Sequence, residues 1–238
     1  MDGVDITFVV PCLNEERHVR KTIETIIDAA DEAMLSYEIL VYDDGSSDNT
    51  SEVVKIYQRQ NPHLPVRLIR NENTLGLGRN YIEGAYTGKG KYYMLACGDN
   101  PHPKDYFVSL LKEIGTADMI IPVYERFEGR KLPRKLLSCA FRMIVNLLSG
   151  YRIRYYNGEV VHLRYNVMRW HPDTTGYAYQ AEIICRLLDE GFSYREISSV
   201  GYESENSTTF TLHKILSVSH SLLQIFLRRV RKVSREIL

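Results

Sequence analysis

Two periods of apolar and polar positions alternate along the chain. Residues 6–10 form a short continuous run of β-branched and aromatic side chains, the pattern of a strand buried on both faces, and Pro11 ends it because proline has no ladder donor. Behind it, Val19, Ile23, Ile26, Ile27 and Ala30 recur at helical spacing, and a second strand follows at 38–41, so residues 6–41 have the length of a βαβ unit. The alternation continues with a helix capped by Asp48 or Thr50 and carrying Val53, Val54, Ile56 and Tyr57, then a strand at 66–69. A helix from near Gly78 runs through Tyr81, Ile82 and Ala85 to the glycines at 88 and 90, and a strand follows at 92–96. Pro103 suits the first turn of a helix reaching 114, before a strand at 119–122. A strand at 160–163, a helix at 178–188 stopped by Gly191, a strand at 194–197 and a final amphipathic helix through Ile215, Leu222, Ile225 and Val230 complete the pattern. Strands alternating with helices predict an α/β fold with a mostly parallel sheet flanked by helices and an amphipathic helix at the C-terminal end.

Composition narrows the class without changing it. The 238 residues suffice for one large α/β domain with a substantial core, and no Pro-, Gly- or Ser-rich stretch interrupts them. Formal net charge is zero, so overall charge points to no nucleic-acid partner, but its distribution is uneven. Residues 129–158 contain no acidic side chain, and Arg130, Lys131, Arg134, Lys135, Arg142, Arg152 and Arg154 interleave there with Leu136, Leu137, Phe141, Ile144 and Leu147. The last helix closes on Arg228, Arg229, Arg231, Lys232 and Arg235. Each basic segment fits an anionic membrane surface or a packed helix with its cations in solvent or at a helix end, and the two together favour the membrane surface. Cys12, Cys97, Cys139 and Cys185 lie far apart with no Cys-x-x-Cys spacing, which suggests neither a zinc site nor a disulfide framework and fits a reducing cytoplasm. The start has no basic segment and apolar core, so no secretory leader is expected, and no apolar run approaches a membrane span.

Candidate chemistry gathers at one edge of the predicted sheet. The strand at 38–41 runs into Asp43, Asp44, Gly45, Ser46, Ser47 and Asp48, and the strand at 92–96 into Cys97, Gly98, Asp99 and Asn100. The carboxyl edge of an open α/β sheet is where ligands bind. Carboxylates there can accept hydrogen bonds from ribose hydroxyls or a base N–H, and can hold a hard divalent cation that neutralises phosphates. The same residue types also form turns and cap helices, and both readings stand at this level.

Four motifs, Val-Val-Pro-Cys-Leu-Asn-Glu-Glu (9–16), Val-Tyr-Asp-Asp-Gly-Ser-Ser-Asp (41–48), Asn-Thr-Leu-Gly-Leu-Gly-Arg-Asn (73–80) and Gly-Lys-Tyr-Tyr-Met-Leu-Ala-Cys-Gly-Asp-Asn (90–100), resemble family 2 glycosyltransferases in order and spacing. Gly-Tyr-Ala-Tyr-Gln-Ala-Glu-Ile (176–183) and Glu-Gly-Phe-Ser-Tyr-Arg-Glu-Ile (190–197) are similar to the acceptor half of the polyprenyl-phosphate and dolichyl-phosphate sugar transferase branch. The resemblance implies a GT-A fold, a Rossmann-like sheet with one nucleotide-sugar site. It divides residues 1–210 into a donor half (1–123) and an acceptor half (124–210), ahead of the basic helix at 211–238. It also implies that Pro11, Asn14, Glu15, Asp43, Asp44, Arg79, Asn80, Gly98 and Asp99 bind the nucleotide sugar, and that Asp99 holds Mg²⁺ or Mn²⁺. The first acidic position of the Asp-x-Asp metal motif is Cys97 here, a soft substitute for a carboxylate ligand. On the acceptor side the implied residues are Tyr179, Gln180, Glu182 and Arg164. Where the branch has Gly-Phe-Arg this chain has Gly158, Glu159 and Val160, and the Arg expected before residues 204–208 is missing. Arg152, Arg154, Arg164 and His162 are the candidates to replace that phosphate recognition.

Glu182 separates two mechanisms. A sugar hydroxyl attacking the anomeric carbon must lose its proton to a base, whereas a lipid phosphate is already anionic near neutral pH. The expectation is an inverting transferase, cytoplasmic and peripheral at the inner face of the cell membrane, with Glu182 and Asp99 as its catalytic pair. It would move sugar from a nucleotide diphosphate to a polyprenyl-phosphate or polyprenyl-linked acceptor. The alternatives are transfer to a hydroxyl of a growing surface polysaccharide with Glu182 as base, and a nucleotide-sugar-binding protein without transfer.

Overall fold

The computed structural model describes residues 3–99, 102–128, 130–169, 178–202 and 212–237. Seven strands, β1 (Ile6–Cys12), β2 (Tyr37–Asp43), β3 (Val66–Arg70), β4 (Tyr92–Leu95), β5 (Met119–Glu128), β6 (Val161–Leu163) and β7 (Tyr194–Tyr202), form one sheet in the order β3-β2-β1-β4-β6-β5-β7. Only β6 runs antiparallel, between β4 and β5. Strands β1 to β4 alternate with α1 (Val19–Glu32), α2 (Thr50–Gln60) and α3 (Leu77–Thr87), while α4 (Lys104–Leu111) leads into β5. After β5 come α5 (Leu132–Ser149), the single short turn α6 (Arg164–Met168), α7 (Tyr179–Asp189) and α8 (Leu212–Ile237). This is the mixed, mostly parallel α/β sheet that the pattern predicts.

The central strands read as unbroken apolar runs because both faces of the sheet are covered. Ile6, Phe8 and Val10 of β1 pack on one side with Val19, Ile23 and Ile26 of α1 and with Tyr106 and Phe107 of α4. Val9 and Leu40 point to the other side, against Tyr81 and Ile82 of α3, Ile184 of α7, Val145 of α5 and Ile225 of α8. A 14-residue α1 returning over two parallel strands puts every β-to-α loop of β1, β2 and β4 at one edge.

Three features exceed the sequence pattern. Strands β5 and β7 run well past residues 122 and 197 as a parallel pair with a register shift between Tyr124 and Arg126. Beyond Val123 this pair carries Glu125, Arg126 and Glu128 exposed, so charge masks the strand from a reading based on buried runs. The third feature is α6, whose five residues carry no capping side chain and no resolvable period.

Candidate active site

The carboxyl ends of β1, β2, β3 and β4 support four loops, and the first two are stitched together. Asn14 N–H donates to Ser46 Oγ at 2.9 Å, Glu15 N–H to Thr50 Oγ1 at 2.8 Å and Glu16 N–H to Asp48 Oδ2 at 3.0 Å. Asn14 takes φ +60° in this tie, a left-handed conformation that asparagine tolerates, and its Oδ1 accepts from the Ser47 N–H at 2.9 Å. The side chains of Pro11 and Glu15 remain half-buried, and Asn14 and Arg79 are exposed at this edge.

Asp43 and Asp44, expected on the base and ribose, are buried and hydrogen-bonded within the chain. Asp43 Oδ1 accepts from Ser46 N–H at 2.8 Å, and its Oδ2 accepts from the Ser51 hydroxyl and lies 3.8 Å from Arg70 Nε. Asp44 Oδ1 accepts from Asn71 Nδ2 at 2.8 Å and Leu75 N–H at 2.9 Å, and Oδ2 accepts from Gly76 N–H at 2.9 Å. Burial alone would raise the Asp44 carboxyl, but donors from Asn80, Leu75, Asn71 and Gly76 outweigh it and hold the group below its ordinary range. Both residues therefore build the loops that carry the site. Asn80 shares this structural role: it is buried, and its Oδ1 accepts from Asn71 Nδ2 at 2.8 Å. Arg79 pairs with Glu83 one turn along α3.

Gly98 sits where β4 leaves the sheet beside β1. A Cβ there would lie 2.5 Å from Cys12 Sγ and 2.8 Å from the Pro11 carbonyl oxygen, so only glycine fits, and the Gly98 carbonyl accepts from Thr22 Oγ1 at 2.9 Å. Asp99 follows directly, and its Oδ1 is buried with no hydrogen-bond partner among the described residues. The Glu15 carboxyl titrates above its ordinary value through burial and the charges of Asp99 and Asp48, against a lowering contact with His18 at 3.1 Å. Negative charge thus converges on this edge.

A divalent cation fits these residues in one specific way. Among the described residues no group of three His, Cys, Asp or Glu side chains is placed to hold an ion by itself. Cys97 is a neutral thiol, pushed up by burial and by the charges of Glu159 and Asp99. His102 is committed to Glu159, and Asn100 lies outside the described residues. One unpartnered carboxylate oxygen suits a hard cation that keeps waters and takes its other ligands from substrate phosphates.

The expected acceptor residues do not converge. Arg164 follows β6, whose end pairs with the start of β4, and so lies at the opposite edge of the sheet from Asp99. It donates from Nε to the Gly90 carbonyl at 2.6 Å and from Nη1 to the Ala85 carbonyl at 2.9 Å, which makes it a structural tie. Gln180 is buried with Nε2 3.1 Å from His162 Nε2, and Tyr179 packs its ring 5.0 Å from that of Tyr81. Glu182 is 0 % exposed; Arg228 Nη2 of α8 stands 3.8 Å from its Oε2. Burial raises the Glu182 carboxyl, only partly countered by Ser221, Arg228 and His220. The first two residues of the 176–183 motif and the loop at 204–208 lie outside the described residues.

Sequence reasoning passed over Glu159 except as a departure from a motif. It is buried just ahead of β6, where its Oε2 accepts from Tyr106 at 2.7 Å and Tyr124 at 2.8 Å and its Oε1 lies 3.3 Å from His102 Nε2. A lone carboxylate ahead of the apolar run Val160-Val161 was the available signal.

Three likenesses bear on this site. A protein of Methanocaldococcus jannaschii, itself uncharacterised, is 28% identical over 92% of this chain and 98% of its own length. A dolichyl-phosphate β-glucosyltransferase of Trichomonas vaginalis is 28% identical over 62% of this chain, and the match spans 48% of that longer protein. Glucosyl-3-phosphoglycerate synthase from Mycobacterium tuberculosis, solved with Mn²⁺, uridine diphosphate and phosphoglyceric acid, superposes with a TM-score of 0.66 over 95% of this chain and 78% of that one, at 18% identity; this shows the shared GT-A fold. The model of glycosyl transferase family 2 matches residues 7–172, well over half of the chain, and the chain belongs to that family.

Proposed function

We propose that this glycosyltransferase inverts the anomeric centre of a nucleotide-diphosphate sugar and transfers it to a polyprenyl phosphate at a membrane surface. The burial of Glu182 carries the choice of acceptor: with α8 in place no acceptor hydroxyl reaches that carboxylate, and a phosphate oxygen needs no base. The dolichyl-phosphate relative points the same way.

In this reading the donor lies across the carboxyl edge, with Pro11, Asn14 and Glu15 on one side and Arg79 on the other. Gly98 lets backbone approach closely, and Asp99 offers a carboxylate oxygen to a divalent cation. The cation, when bound, neutralises the charge that builds on the departing diphosphate. The acceptor oxygen attacks the anomeric carbon from the face opposite that diphosphate. The anomeric carbon–oxygen bond breaks as the new one forms, and the electron pair leaves with the nucleoside diphosphate.

Membrane contact belongs to the same proposal. Leu132, Leu136 and Met143 of α5 and Leu216, Leu223 and Phe226 of α8 are exposed on two helices that pack together, beside Lys135, Arg229 and Arg231. Among the described residues no helix is long and apolar enough to cross a membrane; the contact proposed is peripheral, at the cytoplasmic face.

The test combines a thermal-shift screen of nucleotide sugars, with and without Mn²⁺, and a transfer assay with a polyprenyl phosphate. A cation-dependent rise in the unfolding temperature with one donor is expected. Glu182→Gln is expected to keep most of its turnover. Near-complete loss of turnover with unchanged donor affinity would instead support transfer to a sugar hydroxyl with Glu182 as base.

A further inference from the structure

The segment that carries Asp99 is held from behind by one buried carboxylate. Glu159 Oε1 lies 3.5 Å from Cys97 Sγ and 3.3 Å from His102 Nε2, so a single oxygen meets residues on both sides of Asp99. Glu159 Oε2 takes the hydroxyls of Tyr106 in α4 and Tyr124 in β5. The His102 ring is stacked 4.0 Å from Tyr106 at 17° and 5.7 Å from Tyr124 at 14°, which fixes the far end of the segment in the same cluster. An unpaired buried charge is costly, and this one is retained with four partners, two at the ends of the segment that carries Asp99, one in α4 and one in β5.

We propose that Glu159 is a positioning residue: it clamps residues 97 and 102 so that the unpartnered oxygen of Asp99 is fixed in advance for the cation and the diphosphate. The clamp also explains the thiol at 97. A carboxylate at 97 would stand against Glu159 across about the same gap, and two like charges that close disfavour each other strongly. The anionic group thus sits just ahead of β6, the strand next to β4, and a neutral donor occupies 97. The inference rests on reading Asp99 as the residue that meets the diphosphate and its cation.

The test measures Mn²⁺ binding, by electron paramagnetic resonance, to the full chain in the presence of uridine or guanosine diphosphate, alongside the thermal midpoint of the metal-free protein. Glu159→Gln and Cys97→Ala are expected to weaken Mn²⁺ binding by about tenfold or more, the usual effect of losing a partner that orients a ligand. Cys97→Ser, which keeps a donor to Glu159, is expected to retain it. Cys97→Asp is expected to lower the metal-free midpoint, and Cys97→Asp combined with Glu159→Gln to restore it. The comparison of alanine with serine at 97 keeps the test decisive if Glu159→Gln does not fold. Unchanged Mn²⁺ binding in Cys97→Ala, or an unchanged midpoint in Cys97→Asp, would overturn the clamp. Failure of the functional reading shows separately, in a wild-type chain that binds neither nucleoside diphosphate.

Discussion

Burial by itself would raise the carboxyl of Glu159, yet the charge and hydrogen bond of His102 and the hydroxyls of Tyr106 and Tyr124 bring it down from 4.5 to about 2. Because its value is depressed in the folded chain, the stabilisation is complete above the unfolded value near 4.5. It is lost as pH falls through the folded value near 2. The depression corresponds to on the order of 3 kcal/mol. Urea unfolding at pH 7, 5 and 3 should show wild-type stability falling on the acid side, and Glu159→Gln should flatten that slope; parallel slopes would remove Glu159 as its source. Asp44 acts in the same direction, since its donors hold it below the ordinary carboxylate range. Residue identity at this edge was readable from the sequence, but residue role was not. Asp43 and Asp44 stand where a ligand-binding pair would stand, and they also accept from Ser46, Ser51, Leu75 and Gly76. No local pattern distinguishes a carboxylate aimed at a ligand from one aimed at its own loop.

At the scale of elements the apolar runs fixed most of the fold, because strands covered on both faces admit few polar positions. Among the described residues all seven strands and seven of the eight helices were legible, with ends shifted by a few residues except in β5 and β7, where the charged tail of β5 pairs with the polar tail of β7. Tertiary pairings were not legible, and the one between α7 and α8 matters most. Glu182 is sealed against Arg228 by the docking of Ile225 and Ser221, both buried, so the basic C-terminal helix also covers the expected base. Arg228→Ala leaves that carboxylate without its nearest guanidinium and should cost on the order of 2 kcal/mol at pH 7, less than for a fully buried pair because Arg228 is partly exposed. Because the Glu182 carboxyl is raised, its ionisation costs stability as pH climbs above the unfolded value near 4.5. The loss in Arg228→Ala should therefore be larger at pH 7 than at pH 5. Adding Glu182→Gln should recover it, as read by urea midpoints. Equal losses at both pH values would show that Arg228 contributes packing alone.

For the whole molecule, a formal net charge of zero conceals a division of sign. Glu15, Asp48 and Asp99 gather at the carboxyl edge of the sheet, while residues 129–158 contain no acidic residue and the end of α8 carries five basic residues, Arg228, Arg229, Arg231, Lys232 and Arg235, against Glu236. A uniformly mixed surface of zero net charge would show no preference among lipid surfaces. A divided one should bind anionic vesicles and leave neutral ones, because each basic side chain near an anionic surface contributes roughly 1 kcal/mol. The attraction should weaken steeply with salt, since screening shortens to about 10 Å at 0.1 M and about 3 Å at 1 M. Exposed apolar side chains such as Leu147, 82% accessible, add an attraction that salt does not weaken. Flotation with phosphatidylserine-containing vesicles should therefore carry the protein at low salt and release most of it at high salt. Replacing Arg134, Lys135 and Arg142 by glutamine should lower low-salt binding, and Leu136→Ser with Leu147→Ser should lower binding at every salt. A protein that stays with the soluble fraction at low salt would make the basic helices packing or partner surfaces, and the acceptor would then have to reach Asp99 without a membrane to deliver it.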